Sequence, residues 1–233
     1  MKNIIVFILF LLSFMGHSQS KGMFSKDPII HLENFHKQRV YFGYYLGFNS
    51  FDFKIDYKTV GQDIQVEKTT GFNVGVVTDL KLQEYINLRF EPGLYYTKRT
   101  LHYPDLTREV DAIRDVNSTY IHFPLLLKFS SVRTGNIRPY LLGGVSSTLN
   151  LSSNAKSIDD NVQQRFRVKS WTSNYEIGFG IDFFSEYFIF SPSIRGCFGL
   201  KDELIRDNDP NSPWTGNIES LKNRAILINF TFH

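Results

Sequence analysis

The chain has 233 residues, a formal net charge of +3 and a single cysteine, Cys197. That length fits one good-sized domain after any leader is removed. One cysteine excludes an intrachain disulfide, and the scattered basic residues leave no footprint for nucleic acid. Aromatic residues make up 15% of the chain, with Phe and Tyr far ahead of Trp, which is rich for a soluble domain and suits a protein with aromatic girdles.

Residues 1–18 read as a secretory signal peptide. Lys2 supplies the positive start, residues 4–15 form an apolar run broken only by Ser13, and Gly16 and Ser18 place small residues at a cleavage site. The run is shorter than the ~20 residues that a spanning helix needs, and no later stretch supplies one. Residues 19–38 are polar and read as a periplasmic lead-in, and 39–233 as the barrel domain described next.

From Val40 onward the chain alternates. Val40, Phe42, Tyr44, Leu46 and Phe48 interleave with Tyr41, Gly43, Tyr45, Gly47 and Asn49. Seven further segments behave alike, at 72–80, 86–96, 120–129, 137–146, 171–183, 188–199 and 225–232. Successive side chains of a strand point to opposite faces, so each segment has one apolar and one polar face. Period-two alternation in roughly ten-residue pieces is the mark of a transmembrane β-barrel. The expectation is an all-β, closed antiparallel barrel of about eight strands with its apolar faces toward lipid.

The connections alternate as well. Those at 81–85, 130–136 and 184–187 are short, and those at 50–71, 97–119, 149–170 and 200–223 are long. Outer-membrane barrels have short periplasmic turns and long extracellular loops. An even strand count then puts both termini in the periplasm. The last strand carries Phe230 and Phe232 on the lipid parity and is expected to close the barrel against the first, leaving no open edge in lipid. Pro92, Pro124, Pro139 and Pro192 sit in or near strands, where strand ends or bulges are expected because proline cannot donate to a ladder.

The opposite parity collects Asp79, Arg89, Glu91, Lys128, Arg138, Glu176, Asp182 and Arg195. The signs balance, and about eight strands give an interior that side chains just fill. A packed ion-pair network is the expectation, with a charged pore as the alternative, because an unpaired buried charge is costly. Inward glycines are read as room for neighbours such as Tyr45 and Tyr95. His122 faces inward and His102 opens a long loop; both are read as structural or surface histidines. Asp207-Asn-Asp209-Pro-Asn211 begins like a calcium loop, but Ser212 replaces the turn glycine and no twelfth-place glutamate follows. No catalytic, cofactor-binding or metal-binding residues are assigned, and no enzyme is expected.

Several phrases resemble the PorT proteins of the type IX (Por) secretion system, which is also tied to gliding motility. They are Tyr45-Leu-Gly-Phe-Asn-Ser-Phe-Asp-Phe-Lys54, Glu67-Lys-Thr-Thr-Gly-Phe-Asn73, Leu88-Arg-Phe-Glu-Pro-Gly-Leu-Tyr-Tyr96, Tyr120-Ile-His-Phe-Pro-Leu-Leu-Leu-Lys128, Arg138-Pro-Tyr-Leu-Leu-Gly-Gly144, Ser191-Pro-Ser-Ile-Arg195 and Arg206-Asp-Asn-Asp-Pro-Asn-Ser-Pro-Trp214. The last is a loop phrase and carries most of the specificity. The resemblance implies an accessory or assembly component of type IX protein secretion in the outer membrane. It implies other secretion components as partners; outer-membrane lipid is expected from the alternation, the barrel-assembly machinery from the final strand with Phe230 and Phe232, and no cofactor is expected. A generic structural or adhesive barrel, or a small pore, stands as the alternative.

Overall fold

The structure is a computed structural model describing residues 30–32, 38–59, 61 and 63–233. Residues 1–18, read above as a signal peptide, and most of 19–38, read as a lead-in, lie outside the described residues. Among the described residues ten strands occur in chain order: β1 (Val40–Tyr57), β2 (Gln65–Lys68), β3 (Thr70–Lys81), β4 (Ile86–Phe90), β5 (Gly93–His102), β6 (Ile113–Ser130), β7 (Ile137–Asn150), β8 (Trp171–Phe184), β9 (Ile189–Gly199) and β10 (Ile218–Phe232). β2 and β3 form one wall position, as do β4 and β5, so the ring has eight strands. All pairings are antiparallel, and β1 closes it by pairing with β3 on one side and β10 on the other. Leu46 lies opposite Phe230, and Tyr44 opposite Phe232.

The outward apolar parity is exposed, as the alternation requires. Phe42 is 70% accessible and Ile177 63%. On β1 the apolar outward residues run from Val40 to Phe48, which matches the ~9–11 residues of a tilted transmembrane strand. Aromatic pairs mark both edges of this band. Phe190 stacks with Phe230 and Tyr44 with Phe232 near the short turns, while Phe72 stacks with Tyr96 and Tyr175 with Phe198 toward the long loops.

Two expectations are corrected. Five of the stretches read as loop are strand: β1 runs on to Tyr57, β2 occupies Gln65–Lys68, β5 runs to His102, β6 starts at Ile113 and β10 at Ile218. The remaining long connections are 58–64, 103–112, 151–170 and 200–217. The alternation was obscured there because its sense inverts, as described below. The prolines, in turn, do not insert bulges. Pro124, Pro139 and Pro192 lie inside β6, β7 and β9, and the register is the same on either side of each. Pro92 lies in the gap between β4 and β5, at a strand end as expected, and the register is the same on either side. Each proline forfeits a donor but keeps its acceptor, so Val76 N–H donates to Pro92 O and Glu91 N–H to Pro124 O. The register moves by one residue at Thr69, between β2 and β3, where no proline occurs.

Candidate functional site

The inward face of the band is polar and filled. Arg89 is held by Asp79 through Nη2–Oδ2 at 2.6 Å and by Glu91 through Nη1–Oε1 at 3.2 Å. Arg195 meets Glu91 at 2.8 Å and Glu176 at 3.6 Å. Lys128 meets Asp182 at 2.7 Å, and Ser191 donates to the same carboxylate. Arg138 lies across from Asp182 in the β7–β8 ladder and donates to the carbonyls of Ser131 and Glu84 at the short-turn end. The structure thus brings Asp79, Arg89 and Glu91 together with Arg195 and Glu176. Lys128 and Asp182 form a neighbouring pair. Arg89 and Asp79 are inaccessible to solvent, and each guanidinium or carboxylate there is offset by an opposite charge, as desolvation demands.

Aromatic rings fill the remaining space. Tyr45 projects over Gly75 and Gly93, where any Cβ would collide with its ring or hydroxyl, and Tyr140 does the same over Gly180. The Tyr45 hydroxyl reaches Glu91 O and the Tyr95 hydroxyl, each at 3.3 Å. Lys128 Nζ lies 4.0 Å from the centre of the Tyr140 ring, a cation–π contact. His122 bridges Thr148 Oγ1 at 2.9 Å and Glu176 Oε1 at 2.7 Å. His102, on the outer rim, faces Glu67 at 3.2 Å.

Sequence reasoning missed three members of this interior. Arg99 is buried and binds Asn223, Ser118 and Tyr120 while stacking over Phe53. The alternation of Thr97, Arg99 and Leu101 was the available signal. His233 turns inward to Asp79 at 3.5 Å and packs edge-on against Tyr41. Asn73 links to Asn229 across β1; such amides carry no charge and do not stand out in a sequence.

Beyond the band the polarity of the wall inverts. Outward positions become Lys54, Lys98, Asp115, Asn117 and Glu219, all exposed. Inward positions become Phe53, Leu101, Val116, Ile218 and Leu221, all buried. Loop residues Tyr103, Phe166, Val168, Leu204 and Trp214 complete this second core. The result is a cap built like a water-soluble domain, an apolar inside under a polar outside.

Specific polar contacts hold the cap. Val168 and Leu204 form a β-bridge between the 151–170 and 200–217 loops. Asp207, the candidate calcium-loop residue, accepts instead from the Asn161 backbone and amide at 3.2 and 2.9 Å, and from Ser212. Asp209 accepts from Asn211 N–H at 2.9 Å. Trp214 Nε1 donates to Asp111 O at 2.8 Å, and the Arg114 guanidinium sits 5.0 Å from the indole. Asp111 belongs to the short helix α1 (Glu109–Ala112). Glu203 is buried beneath this cap, and burial pushes its carboxyl up to about 7, offset in part by Arg99.

The arrangement offers a lumen occupied by buried polar side chains and a cap with an apolar core. The eight predicted lumen charges are deeply buried, so none is presented to a substrate in bulk solvent. A cleft of about 370 Å³ lies outside the lumen, between β1 and β2, where Asp52 ties Lys68 and Arg224 together at 3.2 and 2.6 Å.

Among solved structures, OprG from Pseudomonas aeruginosa is 16% identical, with 82% of this chain and 94% of that chain covered at a TM-score of 0.44. Neisserial surface protein A is 8% identical over 81% and 95%, with a TM-score of 0.43. AlkL, determined in lipid bilayers, is 12% identical over 92% and 94%, with a TM-score of 0.41. No curated protein matches the chain. A family profile described as "Outer membrane protein beta-barrel domain" matches residues 18–204. With most of its length inside that match, the chain belongs to the outer-membrane β-barrel domain family.

Proposed function

We propose that this chain is a non-enzymatic, non-conducting outer-membrane barrel that holds a rigid folded cap at the cell surface, a structural or adhesive role. One observation carries this reading. The same eight strands enclose balanced ion pairs inside the apolar band and an apolar core above it. A conduit needs neither the stacked Arg89–Glu91–Arg195 plug nor a sealed core over it. In this reading the cap faces outward, and the short turns and both termini face the periplasm. Val40 and Phe232 both lie at the short-turn end, where His233 N–H donates to Ile189 O. Lipid is the neighbour of the outward aromatics, and the barrel-assembly machinery reads the final strand with Phe230 and Phe232.

A second reading is an accessory or assembly role in type IX secretion, favoured by the PorT-like phrases. The most specific of them, Arg206–Trp214, supplies Asp207, Ser212 and Trp214 to the scaffold of the cap. Under this reading the cap or the turns meet other secretion components.

Deleting the gene separates the two. A structural or adhesive barrel predicts altered envelope integrity or surface binding with normal export of proteins bearing a C-terminal sorting domain. Retention of that cargo in the periplasm selects the secretion role and overturns the first reading.

A further inference from the structure

His122, Glu176 and Cys197 lie on β6, β8 and β9, all on the lumen side and all buried. Their ligand atoms fall within 4.8 Å of one another. Glu176 and Cys197 are direct partners in the β8–β9 ladder. His122 reaches across β7 to the same carboxylate at 2.7 Å. We propose that these three side chains form a metal site in the barrel lumen for a borderline divalent transition ion, Zn²⁺ in the first instance.

The donor set is imidazole, carboxylate and thiolate, which suits Zn²⁺ and excludes the all-oxygen preference of Ca²⁺ and Mg²⁺. Bonds of about 2.0–2.3 Å place tetrahedral ligand atoms roughly 3.3–3.8 Å apart. The three atoms therefore need only a small adjustment, with the His122–Glu176 hydrogen bond opening and the widest separation closing. A fourth position stays open, as in sites with three protein ligands.

The surroundings are those of a prepared site. Thr148 Oγ1 lies 2.9 Å from His122 Nδ1 and also accepts from Asn174 Nδ2 at 2.9 Å, which fixes the ring with Nε2 aimed at Glu176. An outer partner on the second ring nitrogen is the usual companion of a ligating histidine. Glu176 Oε2 is buried without a hydrogen bond. Its cationic neighbour Arg195 stands 3.6 Å away and is engaged more closely by Glu91 at 2.8 Å.

Cys197 is the only cysteine of the chain, and it is buried in the lumen. Binding releases the thiol proton of Cys197 to solvent. The Nε2 lone pair becomes available in the tautomer whose Nδ1–H donates to Thr148. The metal then adds two positive charges against one newly formed thiolate.

The test refolds the full mature chain from urea into detergent with Co²⁺ as the spectroscopic probe, and separately with Zn²⁺. After dialysis, one metal per barrel and a thiolate-to-cobalt charge-transfer band are expected. With one cysteine in the chain, that band in the wild type reports Cys197 by itself, whatever any variant does. Cys197→Ser should lose the band and at least tenfold in zinc affinity while keeping heat-modifiable gel mobility. Thr148→Val, which removes the ring's outer partner, should cost 10–100-fold in affinity and keep the band at saturating Co²⁺. A correctly folded wild type that shows no thiolate band overturns the site, as does stoichiometric zinc whose affinity is unchanged in Cys197→Ser.

Discussion

Glu203 shows how one residue can set the behaviour of the cap. Its carboxyl is buried where the 200–217 loop meets the barrel mouth, and Oε1 has no hydrogen-bond partner. Arg99 and Lys169 favour its charged form, Asp202 opposes it, and burial outweighs them, leaving it at about 7 against an ordinary 4.5. A folded-state value above the unfolded one means that the unfolded chain ionises first as pH rises. Glu203's contribution to the stability of the cap is therefore full below about pH 4.5, falls as pH rises toward 7, and levels off above it. The shift corresponds to about 3 kcal/mol. Glu203→Gln carries no charge, so its stability should lack the wild type's fall between pH 5 and 8, and at pH 8 it should exceed the wild type by about 3 kcal/mol. Urea midpoints of both proteins across that range provide the check, and equal slopes would refute the assignment. The neighbouring Asp202 behaves oppositely: backbone N–H groups of Leu221 and Leu204, together with Arg206, hold its carboxyl below the usual range. Two adjacent carboxylates thus differ because one accepts hydrogen bonds and the other does not.

At the scale of elements, the wall strands are read most easily where lipid lies on one side. Val40 to Phe48 alternate without a break, and the lumen charges from Asp79 to Arg195 could be named from parity alone because every one faced inward against an apolar neighbour. The same strands became illegible above the band. On β5 the inward Thr97 and Arg99 give way to Leu101, and on β1 the outward Phe48 gives way to Lys54. A reader following a lipid-facing parity loses the strand at that inversion, so the outer parts of β1, β5, β6 and β10 looked like loop. Proline misled in the other direction, because Pro124 and Pro192 each cost one rung without displacing the register. The cap itself depends on contacts between segments far apart in sequence, such as Trp214 with Asp111 and Asp207 with Asn161, which no local pattern encodes. This gives the cap its own test. Trp214→Ala removes the indole from the second core and should cost about 3–5 kcal/mol, felt in the cap and not in the membrane band. Trypsin added to proteoliposomes should then cut at Arg108 or Arg206 at least tenfold faster, while the barrel keeps its heat-modifiable mobility. Unchanged protection would mean that the loops are held by something other than this core.

For the whole molecule, the inversion divides one barrel into two differently built halves. The lower half is inside-out: apolar toward lipid, with Arg89, Arg195, Lys128 and their carboxylates inside. The upper half has the ordinary arrangement, apolar inside and polar outside, on the continuations of β1, β5, β6 and β10. Each half is filled differently, with ion pairs and tyrosines below and apolar side chains and loops above. If the cap were a gate over a channel, removing it would open the barrel. If the lumen is itself a plug, it would not. Replacing residues 201–217 with a short Gly/Ser linker removes Leu204, Glu203 and Trp214 together and exposes the barrel mouth. Planar-bilayer recordings of the wild type and of this variant should both lack steady conductance, since Arg89, Tyr45 and Tyr95 remain inaccessible in the band beneath. Opening the plug requires breaking its pairs. Adding Arg89→Ala and Arg195→Ala to the capless variant removes the two guanidiniums that hold Asp79, Glu91 and Glu176 and makes room for water. Glu91 is then without a cation, while Asp79 and Glu176 keep only His233 and His122. That combination is expected to conduct, with cation preference from the remaining carboxylates. Steady current through the capless variant alone would make the cap a gate and return the molecule to the class of small pores.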